Sequence, residues 1–581
     1  MALAPQAQAQ KIMTLLNQRQ FPAAVKAAKA AQKANPRAWQ FTHLYAMALA
    51  QNGQLKEAIP LFTKVLKQQP TDLDVQNNLI STLVEAGQHT QARQLISKLL
   101  PKRQTKHDLY QVLGLSHMRC NEHAAAIEAA DKALAENPEN DTAHNIRGIS
   151  LIGVKRMEDA IAAFEEAHRL NPQNPEPLSN MSAALSHAQR FDEAMTAVEK
   201  ALQLNPRHLT ALHRFAALHS KMGNLNDAVA LYRKILELDP YYAEAYSELV
   251  QAQTIDENKQ LFGTLKTAIS KIPKNSYLQV HLNLAMGNLL FKEKSYDKAA
   301  PYLSTANALV SKRRPHDFAR ATSDLEKTRE MFPLDKPLPK EGDTETPRPI
   351  FVLGQPRSGT TLTEMMISAS DEVVSCGEQP MAGQIAQEIL QGRASFDAVE
   401  FARTYREGLP SFAGDRNFFV DKMPANYQYI GFILSAFPEA PIIHIERDPR
   451  DVALSMWREF FTSAWMNFTF DMKAMAHSAN LYQGYMKHWQ ALVGDRILNL
   501  NYADIVSDPE AASRKMADYC GLEWSEVMMA PERNTARVST ASVVQVREGV
   551  HTKSLGGWRR LEKSLKPFVE ALDPDLWPDL D

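Results

Sequence analysis

One spacing constrains this chain more than any other property. Alanine stands at 24, 58, 92, 126, 160, 194 and 228, a step of 34 residues held through seven positions without slippage. Twelve residues after most of these alanines comes a proline: Pro36, Pro70, Pro138, Pro172, Pro206 and Pro240. Twelve before them the residue is mostly small: Ala46, Ile80, Gly114, Gly148, Ser182 and Ala216. Short side chains let two helices approach closely, and a proline ends a helix because it cannot donate the next backbone bond. The pattern predicts stacked pairs of antiparallel helices, each pair burying the face of its neighbour. A generic helical bundle would not hold such a register.

These positions resemble the tetratricopeptide repeat, whose period is 34. Seven units cover about residues 6 to 242, a weaker segment follows near 243 to 275, and Ala299 takes the alanine role in a further unit, giving about eight to nine in all. Fifteen residues before each alanine the side chain is polar: His43, Asn77, Gln111, Asn145, Ser179 and His213, with Ser247 continuing the spacing. In the family this position faces a concave groove, so the resemblance implies a ladder able to hold an extended protein or peptide partner. A solvated helix face is the plainer reading of the same residues. The array could equally mediate homodimerisation or docking to an assembly partner.

The register then stops. Residues 331 to 349 read MFPLDKPLPKEGDTETPRP, whose prolines and mixed charges mark a linker. Beyond it short apolar runs alternate with helical patterns: PIFVL, FFV at 418 to 420, APIIHIE at 440 to 446 and RILNLNY at 496 to 502. The alternation predicts a three-layer α/β/α domain with a mainly parallel sheet. The expected division is therefore an array at 1–330, a Pro-rich linker at 331–348 and a second domain at 349–581.

At the start of that second domain, FVLGQPRSGTTL (351–362) runs from a strand through a glycine turn into a helix, a setting that suits a phosphate or sulfate. A Walker A loop needs lysine where Thr360 stands, and the nearby cation is Arg357 instead, so an NTPase or kinase reading lacks its counter-charge. The loop resembles the 5′-phosphosulfate loop of the sulfotransferase family, Pro-Arg/Lys-Ser/Ala-Gly-Thr-Thr. The resemblance implies a P-loop-like fold and a donor, 3′-phosphoadenosine 5′-phosphosulfate (PAPS), held by Arg357, Ser358, Gly359, Thr360, Thr361 and Leu362. Its product would be 3′,5′-bisphosphoadenosine, and no metal is required. Downstream, APIIHIERDPRDVALSMW places Arg447 at a strand end and Ser455 eight residues on, similar to the family's 3′-phosphate motif. Read alone, Arg447 could also be the ion-pair partner of Asp448 or Asp451.

The nearest resemblance, over about 347 to 560, is to tyrosylprotein sulfotransferases and to bacterial proteins that join tetratricopeptide repeats to such a domain. SCGEQ (375–379) resembles the segment with the catalytic carboxylate and offers Glu378 as the base. Those enzymes carry two adjacent carboxylates there, and this chain has Gln379 at the second position, on which their base would fall. FVDKMPAN implies Lys422 beside the transferring group, with Arg357 also contributing to catalysis. NLNYADIVSDP implies a nucleotide contact at Tyr502. SVVQVREGVHTKSLGGW implies contacts at Ser542 and Arg547, and because Gly557 sits where those enzymes place a lysine, Lys553, Arg559 or Arg560 is left to substitute. The function implied is sulfuryl transfer from PAPS to a hydroxyl of a protein or peptide, with tyrosine one candidate. A carbohydrate or small-alcohol acceptor, or a scaffold with an inactive transferase domain, are the alternatives.

Charge and cysteine usage fit that picture. Lys plus Arg (65) balance Asp plus Glu (67), which gives no reason to expect nucleic acid or an anionic membrane as partner. The three cysteines are widely separated and form no metal-ligand spacing. With no signal-like or membrane-length apolar run, the expectation is a soluble cytoplasmic protein.

Overall fold

A computed structural model describes residues 4–253, 255–339, 342–410, 416–531 and 550–580. The chain falls into two compact units, one running to Arg214 and the other starting at Phe215. Among the described residues no helix is long and apolar enough to cross a membrane.

The first unit is a solenoid of helix pairs such as Trp39–Gln51 with Leu55–Gln68 and Asp141–Gly153 with Met157–Leu170. The recurring alanines at 24, 58, 92, 126, 160 and 194 are completely buried. Their partners explain the small-residue rule directly. A methyl group added at Gly148 would lie 2.5 Å from the Phe164 ring, and one at Gly114 would lie 3.3 Å from the Ala126 carbonyl oxygen. The turn inside each pair recurs in the same register, with Gly53, Gly87, Asn121, Lys155 and Gln189 all at positive φ. This left-handed residue closes the helix end, as in the bond from the Gln54 N–H back to the Leu49 carbonyl. The polar ladder is tied across the stack: Asn78 bonds His43 (3.0 Å), Asn77 bonds Asp108 (2.9 Å), Asn140 bonds Gln111 (2.8 Å) and Asn180 bonds Asn145 (3.0 Å).

The second unit begins with further repeat helices, including Ala243–Ala252, Leu278–Lys292 and Tyr296–Ser311. They share one hydrophobic core with later elements: Leu282, Met286, Leu289 and Leu303 cluster with Val452, Trp457, Met475 and Phe568. The proline-rich stretch is anchored as well. Phe332 packs edge-on against Phe432 with ring centroids 4.8 Å apart, and the Asp343 N–H donates to the Ala436 carbonyl at 2.7 Å.

Five strands then form a parallel sheet: β1 (Arg348–Gly354), β2 (Val373–Ser375), β3 (Phe418–Asp421), β4 (Ile442–Glu446) and β5 (Ile497–Asn501), in the order β2-β3-β1-β4-β5. Successive side chains point to opposite faces; both faces of β1, β3 and β4 are covered, which is why those strands read as near-continuous apolar runs, while the edge strand β5 (ILNLN) alternates. Phe351, Leu353 and Phe419 pack toward the helices Met381–Leu390, Ala398–Glu407 and Met472–Val493. Ile350, Val352, Val420, Ile443 and Ile445 pack toward Thr360–Ile367 and Pro509–Cys520. The result is three layers. Since all five strands run the same way, the ends of β1, β3, β4 and β5 reach one edge, where open α/β sheets bind ligands.

Candidate functional site

The loop after β1 is shaped by two glycines that admit no side chain. At Gly354 (φ +150°) a methyl group would meet the Ile445 carbonyl oxygen at 2.6 Å, and at Gly359 (φ +114°) it would meet the Tyr502 ring at 2.4 Å. Arg357 between them is itself at φ +70°. The helix Thr360–Ile367 starts immediately afterwards, aiming its unbonded N–H groups and positive dipole end outward.

Arg357 and Ser455 meet: the guanidinium Nε donates to Ser455 Oγ at 2.9 Å. Arg447 Nη1 donates to the Arg357 carbonyl at 2.9 Å and its Nη2 to the Ser554 carbonyl at 3.2 Å, while its Cζ sits 4.3 Å over the Tyr502 ring. Asp448 is engaged by Arg450 instead, with 2.9 Å between Nη2 and Oδ2. Asp451 accepts the N–H groups of Gly556 (2.8 Å) and Trp558 (2.9 Å). Neither aspartate therefore consumes Arg447. Its Nε and the buried Ser358 Oγ have no hydrogen-bond partner among the described residues. Two unsatisfied polar groups at a helix N-terminus are what an anion site leaves open for its ligand.

Around these groups lies a cavity of about 330 Å³ lined by Arg357, Gly359, Thr360, Thr361, Leu362, Arg447, Ser455 and Tyr502. Arg458, Lys553 and Arg560 join it, so that among the described residues five cationic side chains and one carboxylate, Asp451, line the cavity. Of the three candidates to replace a lysine at Gly557, Lys553 and Arg560 line the cavity, whereas Arg559 lies over the Trp558 ring at 4.8 Å. Ser542 and Arg547 lie outside the described residues.

A second group of charges sits on the end of β3. Lys422 is fully buried, and its ammonium donates to Glu378 Oε1 at 2.6 Å and stands 3.8 Å from Glu364 Oε2. Burial works against the ammonium, but Glu378 and Glu364 outweigh it and raise the Lys422 pKa, keeping it charged. The Glu378 side chain is 40% exposed and so accessible to a second reactant, whereas that of Glu364 is 6% exposed and fixed by the Ser375 hydroxyl at 2.7 Å. Burial raises the Glu364 pKa, with Lys422 opposing. Gln379 takes a different part: its amide donates inward to the Cys376 carbonyl, and its backbone N–H donates to Asp421 Oδ1 at 3.1 Å.

Sequence reasoning missed Glu364, Asp421, Ser554 and Arg458, and it named Asp451 as a partner of Arg447, whereas Asp451 accepts from the Gly556 and Trp558 N–H groups. Only Arg458 carried a signal, as a third cation in the segment that supplies Arg447 and Ser455. Asp421 has a measurable consequence. It is completely buried and accepts from the Tyr405 hydroxyl (2.8 Å) and Asn426 Nδ2 (3.1 Å) as well as from Gln379. Burial outweighs these bonds and pushes its pKa from 3.8 up to about 7. The raised folded value means its contribution to stability is complete below its unfolded pKa and is lost as pH climbs toward 7. Urea unfolding of wild type and Asp421→Asn should therefore differ by on the order of a few kcal/mol more at pH 7.5 than at pH 4, with wild type the one that weakens. Parallel pH profiles would refute it.

Residues 349–526 match a family model described as the sulfotransferase family. Tetratricopeptide-repeat models match 10–72, 49–114, 112–175, 151–218 and 209–242. An uncharacterized protein of Aquifex aeolicus (strain VF5) is 31% identical over 345 residues, covering 56% of this chain and 45% of its own length. Protein-tyrosine sulfotransferase 1 of Danio rerio is 22% identical over 250 residues, 38% of this chain and 64% of that one. The chain thus spans about half to two thirds of these relatives. A tetratricopeptide repeat protein from Parabacteroides merdae overlays at a TM-score of 0.37 and 15% identity, over 42% of this chain and 97% of that structure.

Proposed function

Because this chain joins tetratricopeptide repeats to a sulfotransferase-family domain, we propose that it transfers a sulfuryl group from PAPS to a hydroxyl of a protein or peptide. One observation carries the donor assignment: five cations and two unsatisfied polar groups converge on a helix N-terminus at the C-terminal edge of a parallel sheet. That arrangement suits a P-loop-like hold on an adenosine bisphosphate better than a triphosphate, since no lysine follows Gly359. Ser358, the helix amides and Arg357 would take the 5′-phosphosulfate, and Arg447 with Ser455 the 3′-phosphate. Tyr502 supports Arg447 from below its plane.

Bound, PAPS supplies a sulfuryl group whose bond to the 5′-phosphate oxygen breaks as a bond to the acceptor oxygen forms. Glu378, exposed and held at one oxygen by Lys422, takes the acceptor proton. Lys422, Arg357 and the helix amides offset the negative charge left on the departing oxygen. Positioning supplies most of the acceleration in such in-line transfers.

The acceptor class is supported by the repeats and by the likeness to a protein-tyrosine sulfotransferase. A carbohydrate or small alcohol is the second reading, favoured by ladder groups such as Asn77, Gln111 and Asn145 being engaged by polar side chains of the adjoining repeat. Among the described residues no disulfide joins Cys120, Cys376 and Cys520, which supports a reducing, cytoplasmic setting. The test is transfer of labelled sulfate from PAPS to a proteome extract, with label expected on polypeptide hydroxyls. Binding that favours ATP over 3′,5′-bisphosphoadenosine would sink the donor assignment, and label confined to sugars would reassign the acceptor.

A further inference from the structure

One wall of the donor cavity comes from outside the segment that matches the sulfotransferase family. Phe291, on the repeat helix Leu278–Lys292, lines the cavity. Arg458 lies over its ring with Cζ 3.6 Å from the centroid. The same helix pins Arg458 twice: Arg458 Nε donates to Asn288 Oδ1 at 2.9 Å, and Asn288 Nδ2 donates to the Arg458 carbonyl at 2.9 Å. The next residue repeats the theme. Glu459 Oε1 stands 3.9 Å from Arg357 Nη2, and Glu459 Oε2 accepts from Gln251 Nε2 at 3.2 Å, with Gln251 on the repeat helix Ala243–Ala252. Two of the five cavity cations are thus oriented from the repeats, Arg458 directly and Arg357 through Glu459.

The surroundings make that orientation matter. Burial lowers the Arg458 pKa to about 10, so water does little to hold its guanidinium, and its fixed partners set its direction. Burial likewise raises the Glu459 pKa, against the pull of Arg357 and Arg458. Such a carboxylate is tolerated because it is hydrogen-bonded and paired.

Resting on the donor reading above, we propose that Asn288 and Gln251 are positioning residues of the PAPS site, so that the last repeat helices complete a cavity the transferase segment alone leaves half-built. A purely structural docking role makes a different prediction, and Asn307 separates the two. From the helix Tyr296–Ser311 its Nδ2 donates to the Trp457 carbonyl at 2.9 Å, a repeat contact to the same strip of chain as Arg458. None of the hydrogen bonds described for Asn307 reaches Arg357 or Arg458.

The experiment uses the full chain with Asn288→Ala, Gln251→Ala and Asn307→Ala, titrated with 3′,5′-bisphosphoadenosine by calorimetry beside a thermal melt. Losing a bond to a charged group should weaken nucleotide binding on the order of tenfold for Asn288→Ala and several-fold for Gln251→Ala. Asn307→Ala should bind within about twofold of wild type even where its melting temperature falls as far. KM for PAPS should rise in step with the affinity loss while kcat at saturating donor holds. Should Asn288→Ala not fold, Gln251→Ala carries the comparison alone. Equal affinities for all three variants would reduce the repeat residues to docking and overturn the proposal. Failure of wild type to bind the bisphosphate would instead overturn the donor reading, and this inference with it.

Discussion

Replacing Glu378 by glutamine is expected to leave 3′,5′-bisphosphoadenosine affinity within a few-fold of wild type while sulfuryl transfer falls by about 10²–10⁴, the usual worth of a general base. The separation follows from position. Among the described residues Glu378 does not line the cavity beside Arg357 and Arg447, and its tie is to Lys422 at 2.6 Å. Glutamine keeps the shape and can still accept from the ammonium, but it cannot take a proton. Single-turnover transfer at saturating PAPS, alongside calorimetric binding, measures both halves. Transfer at the wild-type rate would remove Glu378 from the role. Gln379 is a poor substitute for a base, since an amide is not one and its side chain is committed to the Cys376 carbonyl.

Lys422→Met should do damage of two kinds. Transfer should fall at least a hundredfold, as when an oxyanion-type donor is removed. The fold should also lose about 3–5 kcal/mol, the cost of breaking a buried pair and stranding its partner. The stranded partner is Glu364, buried with Ser375 as its remaining side-chain contact. Its pKa is already raised by burial, and without Lys422 to oppose that burial it rises further. A raised folded value favours the neutral form, so stability is retained at low pH and lost as pH rises past the ordinary carboxylate range. The deficit of the variant should accordingly be smaller at pH 5 than at pH 8. Urea midpoints at the two pH values decide it, and a deficit independent of pH would show that Glu364 is not the group left unpaired.

Much of this architecture could be read from residue order, for identifiable reasons. The 34-residue alanine register records a steric requirement, and Gly148 against Phe164 shows the requirement at work. Strands β1, β3 and β4 announced themselves as apolar runs because both their faces are covered, and β5 by the alternation of ILNLN. β2 did not, since Val373–Ser375 is too short to make a run. The convergence of the 351–362 loop with Arg447 and Ser455 was legible because a strand end and a helix start lie next to each other in sequence as in space. Glu364 and Asp421 were illegible for the opposite reason: a lone acidic residue reads as solvated surface, and only the packing of helix Thr360–Ile367 and strand β3 makes it a buried, perturbed carboxyl. The Asn288 and Arg458 pair lies 170 residues apart in sequence, beyond any local pattern.

The joint core of the repeat helices and the helices of the α/β part bears on how such a protein can be taken apart, whether by shuffling of gene segments or by the bench scientist. The proline-rich stretch looks like the natural seam, yet cutting there would strip Leu282, Met286, Leu289 and Leu303 away from Val452, Trp457, Met475 and Phe568 and expose both sides to water. At about 25 cal/mol per Å² of apolar surface, a handful of such side chains represents several kcal/mol, comparable to the whole net stability of an ordinary domain. The unit that holds together is therefore longer than the segment matching the sulfotransferase family, and the final repeats belong to its core.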